Sequence, residues 1–188
     1  MQLQKIKKAC MAYLTCTIIH AESGDWISNG LAMYSADGVP MTPDTLAALW
    51  GLTSKERDAL SIREGAAEDM GYEEDAISNV SDGDDVELVY RDAIESGGKV
   101  VRIYESLAGM LYIPAEILAP VEKKDGVSLG LRRIKRFGKD DMLVVSMEGY
   151  LATGYFVACD GKSNIGKEVR KRVEALEALT RGGEESAI

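Results

Sequence analysis

The chain has 188 residues, 46% hydrophobic and 28% charged, a composition that supports a packed core and lies far from that of disordered chains. At this length one domain buries roughly 70% of its unfolded surface, so residues 1–188 are expected to fold as one unit, with a subdivision near 82–86 between a helical, acidic half and a β-rich half. The 31 Asp and Glu against 22 Lys and Arg give a net charge of -9, which opposes direct binding to nucleic-acid backbones because such binding needs cations to displace counterions.

Leu3, Ile6, Cys10, Tyr13 and Leu14 recur at helical spacing and predict an opening amphipathic helix over residues 2–12. The lysines Lys5, Lys7 and Lys8 precede an apolar stretch that Thr15, Thr17 and His20 interrupt, so neither a signal peptide nor secretion is expected. The apolar runs at Leu14–Ile19 and Met142–Val145 are far shorter than the about 20 residues that span a bilayer. Cys10, Cys16 and Cys159 form no CxxC and leave one thiol over in any pairing, which fits a reducing cytoplasm and three small core residues.

Leu14–Ala21 and Trp26–Ser35 read as two extended runs of a hairpin, joined by Glu22-Ser23-Gly24-Asp25. Thr42-Pro43-Asp44 is a helix start, with Thr42 as cap and Asp44 at the positive end of the dipole, and Gly51 is its stop. A second helix starts at Ser54 and leads into the acidic stretch. After Asp82-Gly83-Asp84-Asp85 come β-rich runs at Val86–Tyr90, Val100–Glu105, Met110–Ile113, Val127–Phe137, Met142–Met147 and Leu151–Ala158. They predict an antiparallel meander with turns at Gly97-Gly98, Gly138-Lys139-Asp140-Asp141 and Glu148-Gly149. Val169, Val173, Leu176 and Leu179 form the apolar stripe of a last helix that ends at Gly182-Gly183. The expected class is α+β: an antiparallel sheet of about 6–8 strands with an N-terminal helix, a central helical acidic segment and a C-terminal helix.

Enzymatic motifs fail on inspection. Gly161-Lys162-Ser163-Asn164-Ile165-Gly166-Lys167-Glu168 has the glycine spacing of a phosphate-binding loop, but Glu168 stands where a hydroxyl would hold magnesium. His20 is the only histidine. On a strand it shares a face with Cys16 at about 13 Å, too far for a catalytic pair; on a helix the two would lie within about 6 Å. One His and three scattered Cys make no zinc site. The letters of a metal-dependent nuclease motif, Pro43-Asp44 and Glu122-Lys123-Lys124, are too far apart, and the acidic turn Asp82–Glu87 lacks EF-hand spacing. No catalytic residue, metal or cofactor is assigned.

What stands out is charge. Glu64, Glu68, Asp69, Glu73, Glu74, Asp75, Asp82, Asp84, Asp85 and Glu87 follow one another with no Lys, Arg or His up to Tyr90, and such a run is self-repelling unless a partner, a cation or solvent accommodates it. If 61–72 continues as helix, Glu64, Glu68 and Asp69 stand about 5–6 Å apart. That spacing is within reach of a phosphate repeat, so these ten residues are the candidate partner-binding set. Opposite charge gathers at Lys123, Lys124, Arg132, Arg133, Lys135, Arg136 and Lys139, and at Lys162, Lys167, Arg170, Lys171 and Arg172. Such patches allow association between copies or protect a sheet edge.

Trp26-Ile27, Gly30, Ala32, Tyr34, Gly38 and Pro40, spaced W-I-x-x-G-x-A-x-Y-x-x-x-G-x-P, resemble a family of prophage and mobile-element proteins of Gram-positive gut bacteria. The similarity extends to Leu46-Ala47-Ala48-Leu49 and, more loosely, to the β-rich half ending near Val157. In size, acidity and lack of catalytic groups such proteins resemble anti-CRISPR inhibitors of type II RNA-guided nucleases. The resemblance implies a non-enzymatic cytoplasmic protein with a protein partner, a nuclease complex whose basic channel an acidic surface could occupy. Two alternatives stand beside it: an accessory protein of phage replication or recombination that binds through the hairpin around Trp26 and Tyr34, two residues of the same strand parity, and a divalent-cation-dependent enzyme using Asp82–Glu87.

Overall fold

The computed structural model describes residues 3–36, 38–72, 86–96, 98–106, 109–121, 128–136, 139–149 and 152–157. The acidic residues Glu73, Glu74, Asp75, Asp82, Asp84 and Asp85, together with Cys159, the glycine loop 161–168 and the expected last helix, lie outside these. The class is α+β, as expected. Helix α1 (Leu3–Tyr13) opens the chain and buries Ile6, Ala9 and Cys10. Strands β1 (Thr15–Ala21), β2 (Gly24–Ser28) and β3 (Ala32–Ser35) follow, then α2 (Pro43–Trp50), α3 (Ser54–Ala59) and β4 (Ser61–Ala66). Next come β5 (Val86–Glu87), β6 (Val89–Ser96), β7 (Lys99–Ser106), β8 (Gly109–Pro114), the short helix α4 (Ala115–Leu118), β9 (Ser128–Arg136), β10 (Lys139–Gly149) and β11 (Ala152–Val157).

The helix ends follow local chemistry. Thr42 is extended and its hydroxyl accepts from the Thr45 amide at 3.1 Å. Gly51 closes α2 in the left-handed region at φ 59°, returning its amide to Ala48. Before α3, Thr53 and Glu56 form a reciprocal capping box. Lys7, 2.8 Å from the Glu56 carboxylate, and the Thr53 donors hold Glu56 down at about 2.

Eight strands form one sheet in the order β4-β1-β2-β3-β11-β10-β9-β5, and β6-β7-β8 form a second. The expected meander is thus two meanders in two sheets, and the large sheet is mixed because β4 runs parallel to β1. The run Val86–Tyr90 is divided between them at Leu88: β5 pairs with β9, β6 with β7, and the buried Leu88 donates its amide to Leu129. Lys139–Asp141 and Glu148-Gly149, read as turns, belong to β10. The basic strand β9 lies next to the outer edge, where, among the described residues, the two residues of β5 pair with it.

Two further expectations change. Trp26–Ser35 is two strands, because Asn29 turns the chain: its Oδ1 accepts from the amides of Leu31 and Ala32 at 3.0 and 2.8 Å, and Gly30 takes φ +85°. Ile27 therefore pairs with Tyr34, and Trp26 and Tyr34 face opposite sides of the sheet. Ser61–Ala66 is a strand, since Leu60 ends α3 in an extended conformation and the open edge of β1 takes up the next six residues. Only residues 67–71 turn back, with the Ala67 amide on His20 O and the Tyr72 amide on Ala67 O.

One face of the large sheet, with Cys16, Ile18, Ile27, Ala32, Tyr34, Leu129, Leu131, Val145 and Met147, packs on Ile6 and Cys10 of α1, Leu46 and Trp50 of α2, Ile117 and Leu118 of α4, and Tyr104, Leu111 and Ile113 of the small sheet. The opposite face carries Ile19, Trp26, Met33 and Val144, and Ala67, Met70 and Tyr72 fold over it. The buried Tyr34 hydroxyl donates to Ile117 O at 3.0 Å and ties the sheet to α4, while burial raises its pKa. Among the described residues no helix is long and apolar enough to cross a membrane.

Candidate functional site

The only histidine lies where three strands meet the start of the acidic run. β1 and β2 are joined across Glu22-Ser23, which places His20 directly opposite Asp25, at a Cβ spacing of about 4.5–5.5 Å. His20 Nδ1 lies 2.8 Å from Asp25 Oδ1. Asp25 is fixed from behind: its Oδ2 accepts from the Met41 amide at 2.6 Å and its backbone carbonyl accepts from the Ala36 amide at 2.8 Å. Parallel β4 lies on the other side of β1, with Glu64 opposite Ile18 and Ala66 opposite His20. Glu64 Oε2 is 3.9 Å from His20 Nε2, so the imidazole stands between two carboxylates.

The side chains of His20 and Glu64 are 41% and 49% exposed, that of Asp25 only 17%. Asp25 is therefore a partly buried anchor and the other two face water. Glu68 and Asp69, on the turn after β4, are exposed, as is Glu22 on the β1–β2 turn. The Ala67–His20 backbone bond sets the two turns side by side. Glu22, Glu64, Glu68 and Asp69 thus mark one carboxylate-rich end of the large sheet. Arg63, one residue along β4 from Glu64, is directed to the opposite face.

Of the ten carboxylates predicted to form one surface, Glu64, Glu68 and Asp69 stay together, but on a strand and turn instead of a helix. Glu87 is separated from them. It belongs to β5, the last strand of the order that β4 begins, seven strand spacings of about 4.8 Å away, on the order of 30 Å along the sheet. Sequence reasoning missed His20, Asp25 and Glu22 as members of this end. A signal existed: with the turn placed at Glu22-Ser23, a two-residue hairpin makes residues 20 and 25 cross-strand neighbours.

His20 and Cys16 lie on a strand, which removes them as a catalytic pair. Cys10 and Cys16 are buried core thiols, as expected. Trp26 and Tyr34 are 4% and 1% exposed and offer no accessible aromatic anchors. No group of three or more metal-ligating side chains occurs among the described residues. The exposed large apolar side chains include Val89, Tyr90, Val100 and Met110, all on the small sheet. Comparison with protein-family models, curated proteins and solved structures finds no match for this chain.

Proposed function

We propose that this chain is a non-enzymatic binding protein that engages a basic partner surface through the carboxylate end of its large sheet. The supporting observation is the parallel pairing of β4 with β1, which sets the exposed Glu64, Glu68 and Asp69 beside the β1–β2 turn and its Glu22. Carboxylates on paired strands and adjoining turns are held by backbone hydrogen bonds, so they meet a cationic surface with little further ordering cost. The residues that continue the run in sequence, Glu73, Glu74 and Asp75, extend the same charge.

The finer reading makes the partner an RNA-guided nuclease of type II and the protein an anti-CRISPR inhibitor that occupies the channel holding guide and target. Its basis is the resemblance of the W-I-x-x-G-x-A-x-Y-x-x-x-G-x-P segment to mobile-element proteins. The test is a cleavage assay with purified nuclease and guide, comparing wild type with Glu22→Gln, Glu64→Gln, Glu68→Gln and Asp69→Asn combined. Inhibition that weakens in the variant and with added salt supports the reading; unchanged potency in a folded variant sinks it.

A second reading, an accessory protein of phage replication or recombination, has one observation in its favour. Val89 and Met110, 49% and 42% exposed, both pair with Glu105 across the small sheet, giving an apolar row with a charged centre on which a protein partner could rest. Affinity capture that returns replication proteins, and loses them in Val89→Lys but not in the carboxylate variant, selects this reading.

A further inference from the structure

Strand β4 begins the order of the large sheet, and among the described residues no strand pairs with its other side. Its pairing with β1 runs without a register shift from Thr15 opposite Ser61 to His20 opposite Ala66. The Ser61 amide donates to Leu14 O at 3.3 Å and the Ala67 amide to His20 O at 2.8 Å, so the odd-numbered residues direct their backbone groups to β1. Ile62, Glu64 and Ala66 therefore direct their amides outward, as Ile62 and Glu64 do their carbonyls. The Ala66 carbonyl is taken by the Met70 amide at 3.2 Å. Ser61, Arg63, Glu64 and Ala66 are exposed. The other sheet ends differ: β5 has two residues, the β6 pairing shifts register between Tyr90 and Asp92, and β8 buries its last four residues. Brevity, bulges and burial guard an edge against pairing, and so do charges. The guard on β4 is the charge of Arg63 and Glu64, which selects a partner by sign.

We infer that the outer edge of β4 is a docking site for an extended basic segment of a partner protein, which adds to the large sheet as a further strand. The inference deepens the binding function proposed above and rests on it for the sign of the partner's charge. In strand addition the main-chain bonds supply affinity and alternate side chains supply selection. Glu64 shares its face of the sheet with His20, and Ile62 and Ala66 stand in the same row of β4. A Lys or Arg opposite Glu64 on an added strand lies at cross-strand distance, about 4.5–5.5 Å between Cβ atoms, where opposite charges attract and like charges repel.

A second copy of this chain fits the edge poorly. Two-fold antiparallel pairing has to match the outward-directed residues of both strands. The registers that use most of β4 are centred on Arg63 or on Glu64, and each sets that charge against its own copy. Registers shifted from the centre pair fewer residues.

The test uses the full chain and a fluorescein-labelled synthetic peptide that alternates lysine with threonine, so that every lysine falls on one face of an extended strand. Anisotropy at low ionic strength reads binding, and amide hydrogen exchange followed by NMR locates it. The expected result is saturable binding with exchange slowed at Ile62, Glu64 and Ala66. The same peptide N-methylated at every lysine keeps its charge but cannot complete the ladder, and is expected to bind at least about 10-fold more weakly. Ala66→Pro removes an outward amide from the protein and is expected to weaken binding by a similar factor; the N-methylated peptide serves on the unaltered chain if that variant does not fold. Absence of binding, equal affinity for the two peptides, or protection confined to other strands overturns docking on β4. The charge reading fails separately, if a peptide with glutamine in place of lysine binds as tightly and protects the same amides; that result overturns the basic partner. A concentration-dependent dimer that Ala66→Pro abolishes and the peptide displaces assigns the edge to a second copy and overturns the partner protein.

Discussion

Asp25 carries more of the fold than its place beside a turn suggests, and Asp25→Ala tests this. Its carboxylate accepts from the Met41 amide at 2.6 Å and meets His20 Nδ1 at 2.8 Å, while Met41 is 1% exposed. Truncation leaves a buried amide without its acceptor, at about 1.5–3 kcal/mol for a bond to a charged group. The His20 contact, on a side chain open to water, adds no more than about 0.5–1 kcal/mol. The sum centres on about 3 kcal/mol, or about 6–12 °C in Tm for a chain of this size. Asp25→Asn keeps a carbonyl oxygen for the Met41 amide and should lose only about 1 kcal/mol. Urea denaturation followed by circular dichroism and Trp fluorescence reads both, with an unchanged slope showing that the denatured state is unaltered. A loss below about 0.5 kcal/mol for the Ala variant, or equal losses for Ala and Asn, would refute the assignment of the Met41 bond as the main contribution.

Three other outcomes are expected. Tyr34→Phe leaves the buried Ile117 carbonyl without its donor and should cost about 1–3 kcal/mol in urea. Leu14→Gly relieves a left-handed conformation at an exposed position; it should stabilise by up to about 1 kcal/mol, offset in part by glycine's freedom in the unfolded chain. Glu56 is held at about 2 against an ordinary 4.5, so its contribution is complete above pH 4.5 and fades as pH falls toward 2. Thermal melts at pH 7, 4.5 and 2.5 should show wild type losing stability over that window relative to Glu56→Gln, and parallel curves would contradict the Lys7–Glu56 contact.

Much of the fold was legible in the sequence because it is locally encoded. The apolar repeat gave α1, Thr42-Pro43 and Gly51 bounded α2, Glu22-Ser23-Gly24-Asp25 placed the first hairpin, and the β-rich runs located nearly every strand of the second half. Each depends on contacts or dihedrals within a few residues. The misreadings lie where local preference was equivocal. Asn29-Gly30 is short enough to hide inside an extended run, yet its turn reverses which face Tyr34 occupies relative to Trp26. Ser61–Ala66 mixes charged, small and one branched residue, a pattern that fits one helical turn or one edge strand equally well.

The candidate site shows the same division. Composition and charge order by themselves determined that the chain has a core, that carboxylates concentrate after Glu64 and that a turn falls within Glu22–Asp25. Tertiary structure alone decided that β1 would pair in parallel with β4, that Glu64 would come within 3.9 Å of His20, and that Glu87 would be carried to the far edge of the sheet. The reason is that strand pairing satisfies backbone donors and acceptors between segments some forty residues apart. The choice of partner is set by which edges remain open and which faces must be buried, and no local run of residues specifies either.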